Sequence, residues 1–257
     1  MMRRIGLIAW DALREVARHK MLSVHLIFVL IALGLFHLFG HFATTPTLEF
    51  RMIQDVGISV ISLFGLLLTL FIGVSTMRDD LNRRTAYAVL TLPIARWEYF
   101  LGKLAGTLAA VVVNVAVMIG IFAGLLYVKF GVVGPSFLWI IVFMAMEFAI
   151  IGALVLVFSL SDSTVLAFSF TLFLVIMGNL AEYVRHLAAE TGWPALEALV
   201  GLAYVVIPNF AYFNIKARVL KELSISPALV GWAAGYGFVY VLCVVAVGIR
   251  LMERQDL

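Results

Sequence analysis

Few residues in this chain carry groups suited to chemistry, and their grouping narrows what that chemistry is. Arg78, Asp79, Asp80, Arg83 and Arg84 form the densest run of charge, and Thr85, Pro93 and Arg96 follow. An ordinary loop that only fixes topology is usually basic, whereas this one also keeps two acids and a proline, more than topology requires. Glu147 stands alone in a long apolar run, where a charged carboxylate is expensive unless it faces protein or water. Asn114 and Asn179 raise the same question more weakly. These three are candidates for lining a path through the membrane. His25, His37 and His41 are not spaced for all three to share one ligand site.

Several chemistries are excluded by motif. Gly102-Lys103 is followed by Leu104 rather than Ser or Thr, and no glycine stands five residues before Gly102, so no phosphate-binding loop is present. The common zinc-protease and serine-hydrolase signatures are also missing. The single cysteine, Cys243, excludes an intrachain disulfide and a cysteine metal cluster. The expectation is a chain that is no enzyme by itself, with no metal site and no cofactor bound directly.

These residues must be positioned by apolar elements. The chain has 257 residues, 64% of them hydrophobic and 13% charged. Its mean hydropathy is +1.10. Soluble domains carry about twice that share of charge, so a polytopic all-α membrane protein follows. A net charge of +3 is too small to argue for nucleic acid as a partner.

Residues 3–20 alternate apolar and charged positions at helical spacing, as an amphipathic helix lying on the membrane surface does. Apolar runs predict six spans, at about 21–41, 56–77, 100–128, 136–159, 164–181 and 229–250. Residues 78–99 are then a loop on one side, with Trp97 to Leu101 reading as an amphipathic helix along the membrane plane. Asp162 sits in a short polar turn on the same side. Residues 182–228 form the longest connection. Their apolar piece, 193–213, is short and interrupted by Pro208, which reads as a re-entrant or interfacial segment rather than a span. Three Gly-xxx-Gly pairs (102/106, 120/124 and 231/235) suit close helix approach, whether inside the chain or between copies.

With both termini inside, twelve of the eighteen Lys and Arg fall on the cytoplasmic side and six outside, the expected bias. The whole chain then forms one transmembrane domain.

The order charged cluster, Thr85, Leu90-Thr91-Leu92-Pro93-Ile94-Ala95-Arg96, Trp97-Glu98-Tyr99-Phe100-Leu101, Gly102-Lys103 resembles the first cytoplasmic loop of membrane subunits of type-2 ABC exporters. The N-terminal amphipathic helix, the six spans and the long fifth loop are similar to that family. So are Pro208-Asn209-Phe210-Ala211-Tyr212-Phe213-Asn214 and the ending Arg254-Gln255-Asp256-Leu257. The resemblance covers essentially the whole chain. It implies a permease subunit that pairs with a second copy of itself and with two separate ATPase subunits, which carry ATP and magnesium. It implies that Arg78, Asp79, Asp80, Arg83, Arg84, Thr85, Pro93 and Arg96 contact the ATPase, with Asp162 in a smaller contact. It places the chain in a bacterial cytoplasmic membrane among lipid, with Pro208, Asn209 and Asn214 in an outer motif where an accessory protein has room to bind. Two other readings remain at this point: an intramembrane enzyme or metal carrier using the histidines and Glu147, and a scaffold that recruits a soluble partner without transport.

Overall fold

The structure, a computed structural model, describes residues 6–11, 14, 21–42, 44–82, 95–131, 137–161, 163–215 and 226–254. Among them every regular element is helical. In order they are α1 (Met21–Phe42), α2 (Pro46–Asn82), α3 (Arg96–Phe130), α4 (Phe137–Phe158), α5 (Thr164–Glu190), α6 (Pro194–Val206), a 3₁₀ turn (Phe210–Phe213) and α7 (Pro227–Arg254). Five of these are long and apolar enough to cross a membrane: α2 through α5, and α7. Helices are the natural solution for such runs, because each satisfies its own backbone hydrogen bonds where no water can. The chain is a multi-pass membrane protein. Apolar stretches of α1 (Val24–Phe39) and α6 (Ala195–Val206) are shorter. Of the expected surface helix over 3–20, residues 6–11 are helical, and most of the rest lies outside the described residues.

The helices run past the apolar limits on which the expected spans were drawn. α2 begins at Pro46, ten residues before the expected 56. Thr45 and Pro46 explain this. The Thr45 hydroxyl accepts the Leu48 N–H at 3.3 Å, and proline suits a first helical position, where its missing donor costs nothing. At its other end α2 continues through Arg78, Asp79 and Asp80 to Asn82. α3 opens at Arg96, and the Glu98 carboxylate accepts the Ala95 N–H at 3.3 Å, closing its first turn. Trp97 to Leu101 are therefore the first turns of a long helix, not a separate helix in the membrane plane. α5 likewise extends to Glu190, beyond the expected 181.

α4 is the centre of the bundle. Glu147 is its one charged residue, and a helix apolar on every side is one that is surrounded. It packs on α2, α3, α5 and α7. Glycines of α2 set how closely its neighbours come. Phe122 of α3 fills the space a side chain would take at Gly57, Phe148 of α4 does so at Gly65, and Val155 of α4 does so at Gly73. These positions recur every eight residues, each about 80° further round the helix, so the close contact passes from α3 at Gly57 to α4 at Gly65 and Gly73. Of the three expected Gly-xxx-Gly pairs, Gly120, Gly124, Gly231 and Gly235 meet no other group where a Cβ would go among the described residues.

Candidate functional site

Three polar residues singled out from the sequence meet in one place. Glu147, from the middle of α4, lines a cavity of about 260 Å³ together with Asn179 of α5, Asn214 after the 3₁₀ turn, and Ser62 of α2. Phe143, Phe210 and Phe213 supply rings to the same walls. Glu147 is half-buried there. The Ser62 hydroxyl donates to the Ile58 carbonyl at 3.0 Å, and the Asn179 amide donates to the Val175 carbonyl at 2.9 Å. Each thus satisfies a donor on its own helix and keeps acceptor capacity for the cavity. The cavity offers hydrogen-bonding oxygen and a carboxyl group inside an apolar bundle.

Asn114 is not part of it. It is buried on α3 and donates to the Ala110 carbonyl of its own helix at 2.6 Å. Of the Pro208, Asn209 and Asn214 motif, Asn214 lines this cavity and Asn209 is buried.

The fold-back of α6 brings this about. α6 runs alongside the second half of α5, and the chain returns to the level of Gly178. There the Pro208 carbonyl and the Phe210 ring occupy the space a side chain at 178 would need. Asn209 locks the corner. Its N–H donates to the Tyr236 hydroxyl of α7 at 2.8 Å. Its amide donates to the Tyr204 hydroxyl at 2.6 Å and to Glu182 at 3.4 Å. Its side-chain oxygen accepts the Ala211 N–H at 2.9 Å. The Tyr204 hydroxyl in turn donates to Glu182 at 3.2 Å, and the Arg185 guanidinium lies over the Tyr204 ring.

The charged cluster leads into a second structural centre. Tyr99 and Phe100, in the first turns of α3, are buried with Met77 of α2, Leu156 of α4, Leu160 in the turn after it, and Met252 of α7. Phe100 also reaches the α7 backbone at Gly248. Of the expected contact residues, Arg78, Asp79 and Asp80 belong to the last turns of α2, and Arg96 opens α3. Arg83, Arg84, Thr85, Pro93 and Asp162 lie outside the described residues.

Two features were not read from the sequence. At the far end of the bundle, Lys129 of α3 pairs with Glu49 of α2 and donates to the Phe36 carbonyl of α1 at 3.2 Å. The residue pair alone gives no signal, since eighty positions separate the partners. The second is the pairing of Asn209 with Tyr236. Among the histidines, the rings of His37 and His41 meet edge to face at 4.8 Å. Among the described residues, no three His, Cys, Asp or Glu side chains stand where they could hold a metal ion.

The chain matches no protein-family model and no curated protein sequence.

Proposed function

We propose that the chain is the membrane subunit of an ATP-driven exporter, whose ATPase is a separate chain that docks on the loop between α2 and α3. The observation that carries this reading is the rooting of Tyr99 and Phe100 in one packed cluster with the ends of α2, α4 and α7. A force applied to the loop acts on α3 at its first turn, and close packing passes it to α4 and α7 rather than dissipating it. The mixed charge of Arg78, Asp79, Asp80, Arg83 and Arg84 supplies the docking surface.

In this reading α1 is a sixth crossing, both termini lie inside, and the membrane is a bacterial cytoplasmic membrane. α6 is a re-entrant helix entered from the outside. Two copies pair, with two ATPases beneath that bind ATP and magnesium. The cavity at Glu147 is the substrate path, reached from alternate sides as the bundle rearranges.

The test is to coexpress the chain with candidate ATPase chains of its source and ask which of them copurifies. Asp79→Lys with Asp80→Lys is expected to release the ATPase, or to abolish the membrane subunit's effect on its ATP turnover, while the variant still inserts. Unchanged complex yield and unchanged coupled turnover would sink the reading.

A further inference from the structure

Two metal-ligating side chains stand together away from the Glu147 cavity. His37 and His41 are four residues apart in the last turns of α1, and both are exposed. Residues at that spacing lie one above the other on a single helix face. The two rings meet with their centroids 4.8 Å apart.

That separation is the informative quantity. A transition metal binds an imidazole nitrogen at about 2.0–2.1 Å, which puts the ring centre about 3.2 Å from the ion. Two imidazoles at roughly 90–110° around one ion then have their centres about 4.5–5.2 Å apart. The spacing of His37 and His41 falls inside that window. Turning the nitrogens toward a common point costs little, because the second torsion of a histidine side chain is broad. The axis of that rotation runs close to the ring centre, so the separation holds. Exposure leaves the other coordination positions to water, as in an open site. Lys129, which donates to the carbonyl of the adjacent Phe36, is paired with Glu49, so its positive charge is offset. His25 stands twelve residues before His37, about 18 Å along the axis, and takes no part.

We propose that His37 and His41 bind one divalent transition metal ion that favours imidazole (Cu²⁺, Ni²⁺ or Zn²⁺) through two nitrogens, with water completing its shell. The ion spans one helical turn, so it is held only while the last turns of α1 are helical. Binding therefore stabilises the end of α1, which Lys129 of α3 and Glu49 of α2 already anchor. The site uses neither the cavity nor the α2–α3 loop, and it stands apart from the exporter reading.

The test uses the full chain in detergent, purified through a tag without histidine. Zn²⁺ binding is measured by calorimetry, and Cu²⁺ is added at one equivalent for electron paramagnetic resonance. The parent should bind one Zn²⁺ per chain, and the Cu²⁺ spectrum should show coupling to two imidazole nitrogens. His37→Ala and His41→Ala should each weaken Zn²⁺ binding by about tenfold or more and leave a one-nitrogen spectrum. His186→Ala, at an exposed position on α5, should change neither readout. His41→Ala combined with Phe42→His keeps two imidazoles but turns one of them about 100° around the helix, and should bind as weakly as the single variants. All these positions are exposed, so the variants should fold. Glutamine replaces alanine at 37 or 41 if an alanine variant does not purify as one species. Parent affinity in a variant lacking both His37 and His41 would overturn the proposal. Parent affinity in the shifted pair would overturn it too, since the helix face would then not matter. So would a four-nitrogen spectrum, which would place the ion between two copies. No ATPase is present in this measurement, so its failure leaves the docking of the loop untouched, and the converse holds.

Discussion

The backbone N–H of Asn209 donates to the hydroxyl of Tyr236 at 2.8 Å, joining the corner after α6 to the middle of α7. The N–H belongs to a residue only 1% exposed, so water cannot replace its partner. Tyr236→Phe keeps the ring and removes the acceptor. A buried donor left without a partner costs about 1–3 kcal/mol. The variant is expected to unfold several degrees below the parent in detergent, and protease is expected to cut first between α6 and α7. Asn209→Ala should cost more, because that side chain also bonds Tyr204, Glu182 and the Ala211 N–H. Equal stability of all three proteins would show that the corner is not held this way.

Gly57 and Phe122 give a sharper test of packing. A methyl group at 57 would fall within the Phe122 ring. Overfilling a packed interior costs about 1–3 kcal/mol. Gly57→Ala should therefore lower stability, and Phe122→Leu should lower it by opening space. Combined, the two should cost less than their sum, since each relieves the other. Strict additivity in unfolding measurements would mean that α2 and α3 can separate at no cost.

How much was legible beforehand follows from which contacts are local. Apolar runs predicted the helices, because burial in lipid leaves no other backbone solution. Their ends were misjudged where polar residues continue a helix. Thr45-Pro46 was the available signal for the early start of α2. The Gly-xxx-Gly search looked for a spacing of four, whereas the glycines that seat Phe122, Phe148 and Val155 are spaced by eight. Glu147, Asn179 and Asn214 were each noticed, but nothing along the chain says that they meet. Their meeting depends on the fold-back of α6, a relation between elements rather than within one. Asn114 differs in place rather than in bonding: like Asn179 it donates to its own helix, but it is buried on α3 and does not line the cavity.

The re-entrant course proposed for α6 is open to a labelling test. α6 has 13 residues, about 20 Å of helix, too short to cross a bilayer core of about 30 Å. Its end also meets the middle of α5 at Gly178 rather than the opposite surface. Single cysteines at Glu190 and at Lys221, in a Cys243→Ala background, should both react with an impermeant thiol reagent added from outside. If only one of them reacts, α6 crosses, and the C-terminus belongs on the other side of the membrane.

Glu147 carries the last prediction. It lies ten residues from the start of α4 and eleven from its end, so a rise of about 1.5 Å per residue puts it near mid-bilayer. The cavity it lines also contains Asn179, Asn214 and Ser62, so a hydrogen-bonding group at 147 has company there. Glu147→Gln keeps the length and the hydrogen bonding. Glu147→Leu keeps the bulk and removes the polarity. If the cavity is a path whose walls rearrange, Gln should lower the coupled ATP turnover of the assembled complex modestly, and Leu should lower it severalfold with normal assembly. Ser62→Trp, which fills the cavity from α2 while leaving residue 147 a glutamate, should act as Leu does. Parent-like turnover in all three variants would make Glu147 a tolerated residue and the cavity a packing defect. Failure of the Gln variant to assemble would make Glu147 a folding contact, and the path would then have to be sought elsewhere in the bundle.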